Sequence, residues 1–219
     1  MIKAVIFDLD GTLADTLPDL RSAMNRMLSE FRYPERSREE ILAAICYGQL
    51  EFVLRSLPPE VRDSEETVEK CRKYYSACYD RCFKDETTVY EGMPEVIEEL
   101  RSRGISVSVV TNKAQGHADM IMAALYPGDA FTVIIGGSKE APSKPDPTTA
   151  MLAASAMGAD PRECAFVGDS DVDIKTGINA GMHPIGVTWG YRDEELLVSS
   201  GAESVAHTPE ELLKYLLGL

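Results

Sequence analysis

"VIFDLDGTLADT", residues 5–16, is an apolar run that ends in carboxylates. Val5, Ile6, Phe7 and Leu9 read as a buried strand, and Gly11-Thr12 supplies the turn behind it. Residues i and i+2 of a strand face the same way, so Asp8 and Asp10 point together. Charge at the edge of a core costs free energy unless it is paired. The bland alternative, an exposed strand end, sits poorly with so apolar a run. The pair is better read as one wall of a polar cleft.

Working outward, "AVIFDLD" (4–10) is the first of five similar runs. The others are "SVSVVTN" (106–112), "FTVIIGG" (131–137), "CAFVGDS" (164–170) and "PIGVTWG" (184–190). Each is short, β-branched and bounded by Gly, Asn or Ser, the texture of buried parallel strands. Between them lie helical stretches. "PEVIEELRSRG" has Pro94 near its start and Gly104 past its end, and "DPTTAMLAASAMG" and "SDVDIKTGINAGM" behave alike. This alternation predicts an α/β fold with a doubly wound parallel sheet, whose ligand sits at the carboxyl ends of the strands.

Residues 14–88 carry no such strand. "TLPDLRSAMNRMLSEF" sets Leu17, Leu20, Met24, Met27, Leu28 and Phe31 at helical spacing, and "SREE" (37–40) is a capping box. "LPPE" (57–60) breaks the chain before a long helix, "SEETVEKCRKYYSACYDRCF" (64–83). The expected organisation is a core of residues 1–13 and 89–219 with a helical domain, 14–88, inserted after the first strand.

Composition narrows the partners. The 219 residues are 44% hydrophobic and 26% charged, ordinary for a globular enzyme. A net charge of −14 makes nucleic acid and anionic membrane poor partners. Local cations can still hold an anionic substrate, because distant charges are screened beyond about 8 Å. No apolar run approaches the ~20 residues of a membrane span, and "MIKAVIFD" lacks the apolar region of a signal peptide. Five cysteines without CxxC spacing predict a reduced, cytoplasmic setting.

The polar signals fall at strand ends: Asp8 and Asp10, then Thr111 and Asn112, then Lys144 in "SKPDP", then Asp169 and Asp173 in "GDSDVD". A parallel sheet brings these ends to one edge. Several carboxylates with one lysine and one hydroxyl need a cation, and oxygen ligands favour Mg²⁺ with a substrate phosphate. One aspartate of the first pair can attack while the other handles protons. Gly11 permits the tight turn. Singly, each motif has a plainer reading. Thr111-Asn112 and Asp169-Ser170 could be helix caps, Lys144 a solvated lysine, and Asp171 a first-turn surface residue. Cys71, Cys78 and Cys82 lie on one helical face without a histidine, which favours packing over a metal site. Met24, Met27, Met120 and Met122 also read as packing, and His117 as a solvated helix residue.

Taken in order, "DLDGTL" (8–13), "VVTN" (109–112), "SKPDP" (143–147) and "GDSDVD" (168–173) resemble the motifs of the haloacid dehalogenase (HAD) superfamily of phosphohydrolases. The likeness runs over essentially the whole chain, and the insert is similar to that superfamily's four-helix, C1-type cap on a Rossmann-like core. "GTLADTLPDL", "VTNK" and "GVTWGY" look like the phosphoglycolate phosphatase branch. The resemblance implies Asp8 as nucleophile and Asp10 as general acid and base. It implies Mg²⁺ held by Asp8, the Asp10 carbonyl and Asp169. Thr111 and Lys144 would bind the phosphoryl oxygens, helped by backbone N–H groups near Gly11 and Asn112. Asp173, with Ser170 beside it, would order Lys144 or a metal-bound water. In the cap, Gly48 would form a bend towards the cleft, with Gln49 departing from the Gly-x-Gly-like turn of related phosphatases.

The expected activity is Mg²⁺-dependent hydrolysis of a small phosphorylated metabolite, 2-phosphoglycolate first, by a monomer or homodimer. A dehalogenase would need neither Asp10 nor the Gly168-Asp169 pair. A phosphonatase typically lacks the second aspartate and uses a cap lysine. A β-phosphoglucomutase usually carries an acidic residue where Gly168 stands. A pyrophosphatase stays open as an alternative. A non-catalytic module of this fold would have lost one of Asp8, Asp10, Lys144 or Asp169, and all four are present.

Overall fold

The computed structural model describes residues 2–126, 128–138 and 141–218. The chain divides into two compact units, Met1–Asp15 with Val89–Leu219, and Thr16–Thr88. It opens with β1 (Ala4–Phe7) and β2 (Ala14–Asp15), then runs through four helices: α1 (Leu17–Glu30), α2 (Arg38–Ala44), α3 (Gln49–Ser56) and α4 (Glu65–Cys82). After β3 (Thr88–Val89) come α5 (Met93–Ser102), β4 (Ser106–Ala114), α6 (Gln115–Leu125), β5 (Ile134–Gly137) and α7 (Thr148–Ala156). The chain continues through β6 (Cys164–Gly168), α8 (Asp171–Asn179), β7 (His183–Val187), α9 (Glu194–Ser199), β8 (Ser204–Ala206) and α10 (Pro209–Leu217).

Six strands make one sheet in the order β5-β4-β1-β6-β7-β8, with every pairing parallel. The five expected strands are all present, and β8 adds a sixth edge strand. Ala4, Val5, Ile6 and Phe7 are fully buried, as a strand covered on both faces requires. The register Phe7↔Val109 and Phe7↔Val167 brings the ends of β4 and β6 level with the end of β1. The chain winds out from β1 through β4 to β5, then returns to build the other side from β6. The end of β1 is therefore the switch point where this class of sheet opens a crevice. Beneath the sheet, Ala150, Ala153 and Ala154 of α7 join a core cluster with Ile6, Val110, Cys164 and Phe166. The small side chains let that helix approach closely.

The helical unit has its own core. Met24, Met27 and Leu28 of α1 are fully buried, as are Cys71 and nearly Tyr79 and Cys82 of α4. Phe52 stands edge-on to Tyr75 at 5.5 Å. Ser37 and Glu40 form both arms of the capping box read from the sequence. Asp19 is buried, and its carboxylate accepts hydrogen bonds from the N–H groups of Glu86 (3.1 Å) and Thr87 (2.8 Å) and from Thr87 Oγ1 (2.7 Å). This one carboxylate fastens the start of the unit to its end.

Two packing expectations are corrected. His117 is buried, because the first turn of α6 turns it inward with Ala118 and Ile121, whereas Met120 falls outside that buried face and is exposed. Met24, Met27 and Met122 are buried as read. The cysteines are free thiols, and burial raises the Cys71 and Cys82 thiols, Cys82 to about 11.

Candidate active site

Asp8 follows β1 directly and is nearly buried. Its Oδ1 lies 2.8 Å from Lys144 Nζ, and apart from that ion pair this oxygen accepts no hydrogen bond among the described residues. Lys144 is held from three sides. Asp173 Oδ1 stands 2.6 Å from its Nζ. The Asn112 side chain brackets its backbone, with Oδ1 accepting from Lys144 N at 2.8 Å and Nδ2 donating to Lys144 O at 3.1 Å. Asp173 is fixed in turn by Ser170, whose hydroxyl donates to Oδ2 at 2.5 Å and whose N–H donates to it at 3.1 Å. The pair is also the capping box of α8, so the helix start and the lysine clamp are the same residues.

Asp169 is fully buried. Its Oδ1 accepts from Thr12 Oγ1 at 3.3 Å and its Oδ2 from Tyr191 N–H at 2.7 Å. Carboxylate oxygens of Asp8, Asp169 and Asp173 lie within 4.8 Å of one another. Lys144 already neutralises Asp173, whose other oxygen is taken by Ser170, whereas Asp169 is held only by the neutral donors Thr12 and Tyr191 among the described residues. Burial first, and Asp173 second, push Asp8 up to about 7 and Asp169 well above the usual carboxylate range. Lys144 is pushed above the usual lysine range: its burial acts the other way, and Asp173 and Asp8 outweigh it. Two buried, hard-oxygen carboxylates facing each other fit a divalent cation such as Mg²⁺.

Gly11 has φ +87°, and a Cβ there would run into the Asp169 carboxylate. A Cβ at Gly168 would collide with Asp173. An acidic side chain at 168 therefore cannot coexist with this Lys144–Asp173 clamp.

The other sequence-derived positions have partners that the sequence did not specify. The Gly11 N–H donates to Ala14 O at 2.9 Å, so the turn consumes it and it is not available to a phosphoryl oxygen. The Asn112 side chain serves Lys144. Thr111 is buried, and its hydroxyl accepts from the N–H of Lys113 at 3.2 Å. Asp171 pairs with Lys175 on α8, as a first-turn surface residue would. Gly48, in the helical unit, is the N-cap of α3 at φ +86°, whereas Gln49 Oε1 accepts from Arg72 Nη1 at 3.1 Å and is committed there. Sequence reasoning missed Thr12 and Tyr191 as the holders of Asp169, and Lys113, whose Nζ lies 2.8 Å from Asp10 Oδ1. All three sit inside motifs already quoted, but their partners are distant in sequence.

Comparison with known proteins places this geometry. The family profile described as haloacid dehalogenase-like hydrolase matches residues 5–187. A phosphoglycolate phosphatase of Haemophilus influenzae (strain KW20/Rd) is 32% identical over 194 residues, 86% of this chain and 87% of that protein. The Nitrosospira multiformis phosphoglycolate phosphatase is 33% identical over 194 residues, 88% of this chain and 86% of its own length. A crystal structure of a candidate phosphoglycolate phosphatase from Lactobacillus delbrueckii subsp. bulgaricus superposes with a TM-score of 0.92 at 26% identity, covering 99% of each chain. The chain belongs to the haloacid dehalogenase-like hydrolase family. Within that family it is an enzyme of the phosphatase kind. Among the described residues, no helix is long and apolar enough to cross a membrane.

Proposed function

We propose that the chain hydrolyses phosphomonoesters of small metabolites through a phosphoaspartate on Asp8, with Mg²⁺ as cofactor and 2-phosphoglycolate as the leading substrate. The observation that carries this is Asp8 at the switch point of the sheet, 2.8 Å from Lys144 and beside Asp169. The named relatives support the choice of substrate.

In the first step an Asp8 carboxylate oxygen forms a bond to phosphorus while the bond from phosphorus to the ester oxygen breaks. The departing alkoxide takes its proton from Asp10. In the second step water attacks phosphorus and gives a proton to Asp10, and the phosphorus bond to Asp8 breaks, releasing phosphate. Asp8 and Asp169, with the Asp10 carbonyl, would hold Mg²⁺, which when bound supplies positive charge to the transferring phosphoryl group. Lys144 and the Thr111 hydroxyl would face the same oxygens, and positioned charge of this kind is the main resource for phosphoryl transfer. The core groups address only the phosphoryl group. Selectivity would then have to come from residues outside the core motifs, and the bend at Gly48 in the helical unit is the position to test.

Purified protein should turn over phosphomonoesters only with added Mg²⁺, and a panel ranked by kcat/KM should place 2-phosphoglycolate first. Asp8→Asn should abolish turnover and the acid-stable phosphoprotein trapped from wild type. Full activity in that variant would overturn the assignment. In Gly48→Leu the best metabolite should lose more than an aryl phosphate does; equal losses would remove Gly48 from the substrate site.

A further inference from the structure

Lys113, near the end of β4, has no part in the reaction as written. Its side chain is only 5% exposed, and its Nζ reaches both oxygens of Asp10, at 2.8 and 3.1 Å. The two aspartates of the first motif therefore each face a different lysine: Lys144 for Asp8, Lys113 for Asp10. A buried ion pair is weak evidence for stability, because desolvating both charges offsets most of their attraction. A fork across both oxygens has a different physical effect. It fixes the carboxylate's rotation about Cβ–Cγ, a torsion that is otherwise broad. The backbone of the same residue donates to the Thr111 hydroxyl, so one residue sets the direction of both.

We propose that Lys113 is the positioning residue for Asp10, holding its carboxylate in the orientation from which it exchanges protons with the leaving oxygen and the attacking water. This rests on the phosphomonoesterase reading above. Lys113 acts through Asp10, so its effect should depend on whether the leaving group needs a proton. It should also vanish when Asp10 cannot supply one.

The test compares wild type, Asp10→Asn, Lys113→Met, Lys113→Arg and the Asp10→Asn/Lys113→Met double variant, all at saturating Mg²⁺. Each is assayed with 2-phosphoglycolate and with 4-nitrophenyl phosphate, whose leaving group departs without protonation. For the alkyl ester, kcat/KM reports the step in which Asp10 gives up its proton. Lys113→Met should lose about 10- to 100-fold there, part of the ~10²–10⁴-fold typical of acid–base groups, and under about threefold on the aryl ester. Lys113→Arg should recover part of the loss. The double variant should be no slower than Asp10→Asn alone, because residues acting as one unit are not additive. Equal loss on both esters, or a double variant slower by the product of the single losses, would overturn the proposal. If Lys113→Met does not fold by circular dichroism, Lys113→Gln carries the same comparison. Failure of the underlying reading looks different: wild type would hydrolyse neither ester, or Asp10→Asn would retain full rate on both.

Discussion

Burying Asp8 beside Asp173 sets two carboxylates against each other, and Lys144 lies between them at 2.8 and 2.6 Å. The consequence is a pH dependence of folding whose sign can be worked out. Asp8 holds its proton up to about 7 in the folded chain, whereas the unfolded chain releases it near the ordinary aspartate value of about 4. Between those values the folded state binds more protons, so the stability contributed by Asp8 falls as pH rises and is gone above about 7. Without metal, Asp8→Asn should therefore melt higher than wild type at pH 8, by about 3 °C or more, with the gap closing towards pH 5. Added Mg²⁺ should raise the wild-type melting temperature at pH 8 and leave that of Asp8→Asn nearly unchanged, because a ligand stabilises only what it binds. A gap that is the same at both pH values would show that burial of Asp8 is not what strains the site.

Among the elements, one buried carboxylate ties the start of the helical unit to its end. Asp19 accepts hydrogen bonds from the Glu86 and Thr87 backbones and from the Thr87 hydroxyl, and it is almost fully buried. Removing a charged acceptor leaves buried donors unpaired, at about 1–3 kcal/mol each. Asp19→Ala should lower the unfolding free energy by about 2–4 kcal/mol, measured by urea titration, and Asp19→Asn by less. A change under about 0.5 kcal/mol would mean water replaces the carboxylate. Nothing in the sequence marked Asp19, since it reads as an ordinary first-turn acid of α1. The legible elements were those with a strong period. β1 and β6 announce themselves by unbroken apolar runs, β4 by its valines, and α2 by Ser37 and Glu40. β8 was not legible because it is only three residues long, and of these Ala206 alone is buried. The site divides in the same way. Asp8, Lys144, Asp169 and Asp173 were found because they follow strands. The tasks of Asn112, Lys113, Thr12 and Tyr191 depend on partners as far as 157 residues away, a pairing that one sequence does not record.

For the molecule as a whole, the placement of β1 has a consequence in time. It leaves the ribosome well before its two neighbours in the sheet, which begin at Ser106 and Cys164. At about 5–20 residues per second, β1 spends several seconds as an unpaired apolar strand. All four helices of the second unit, which ends at Thr88, are synthesised in that interval, before the first partner of β1 exists. Nascent chains arrested with residues up to 100 outside the tunnel should leave residues 4–7 open to hydrogen exchange and chaperone crosslinking. Chains that have also extruded β6 should protect them. Protection already at the earlier length would mean that β1 finds a non-native partner while it waits. Because the switch point is built from the ends of β1, β4 and β6, the candidate site would take shape only once β6 has emerged, long after the strand that carries Asp8 was made.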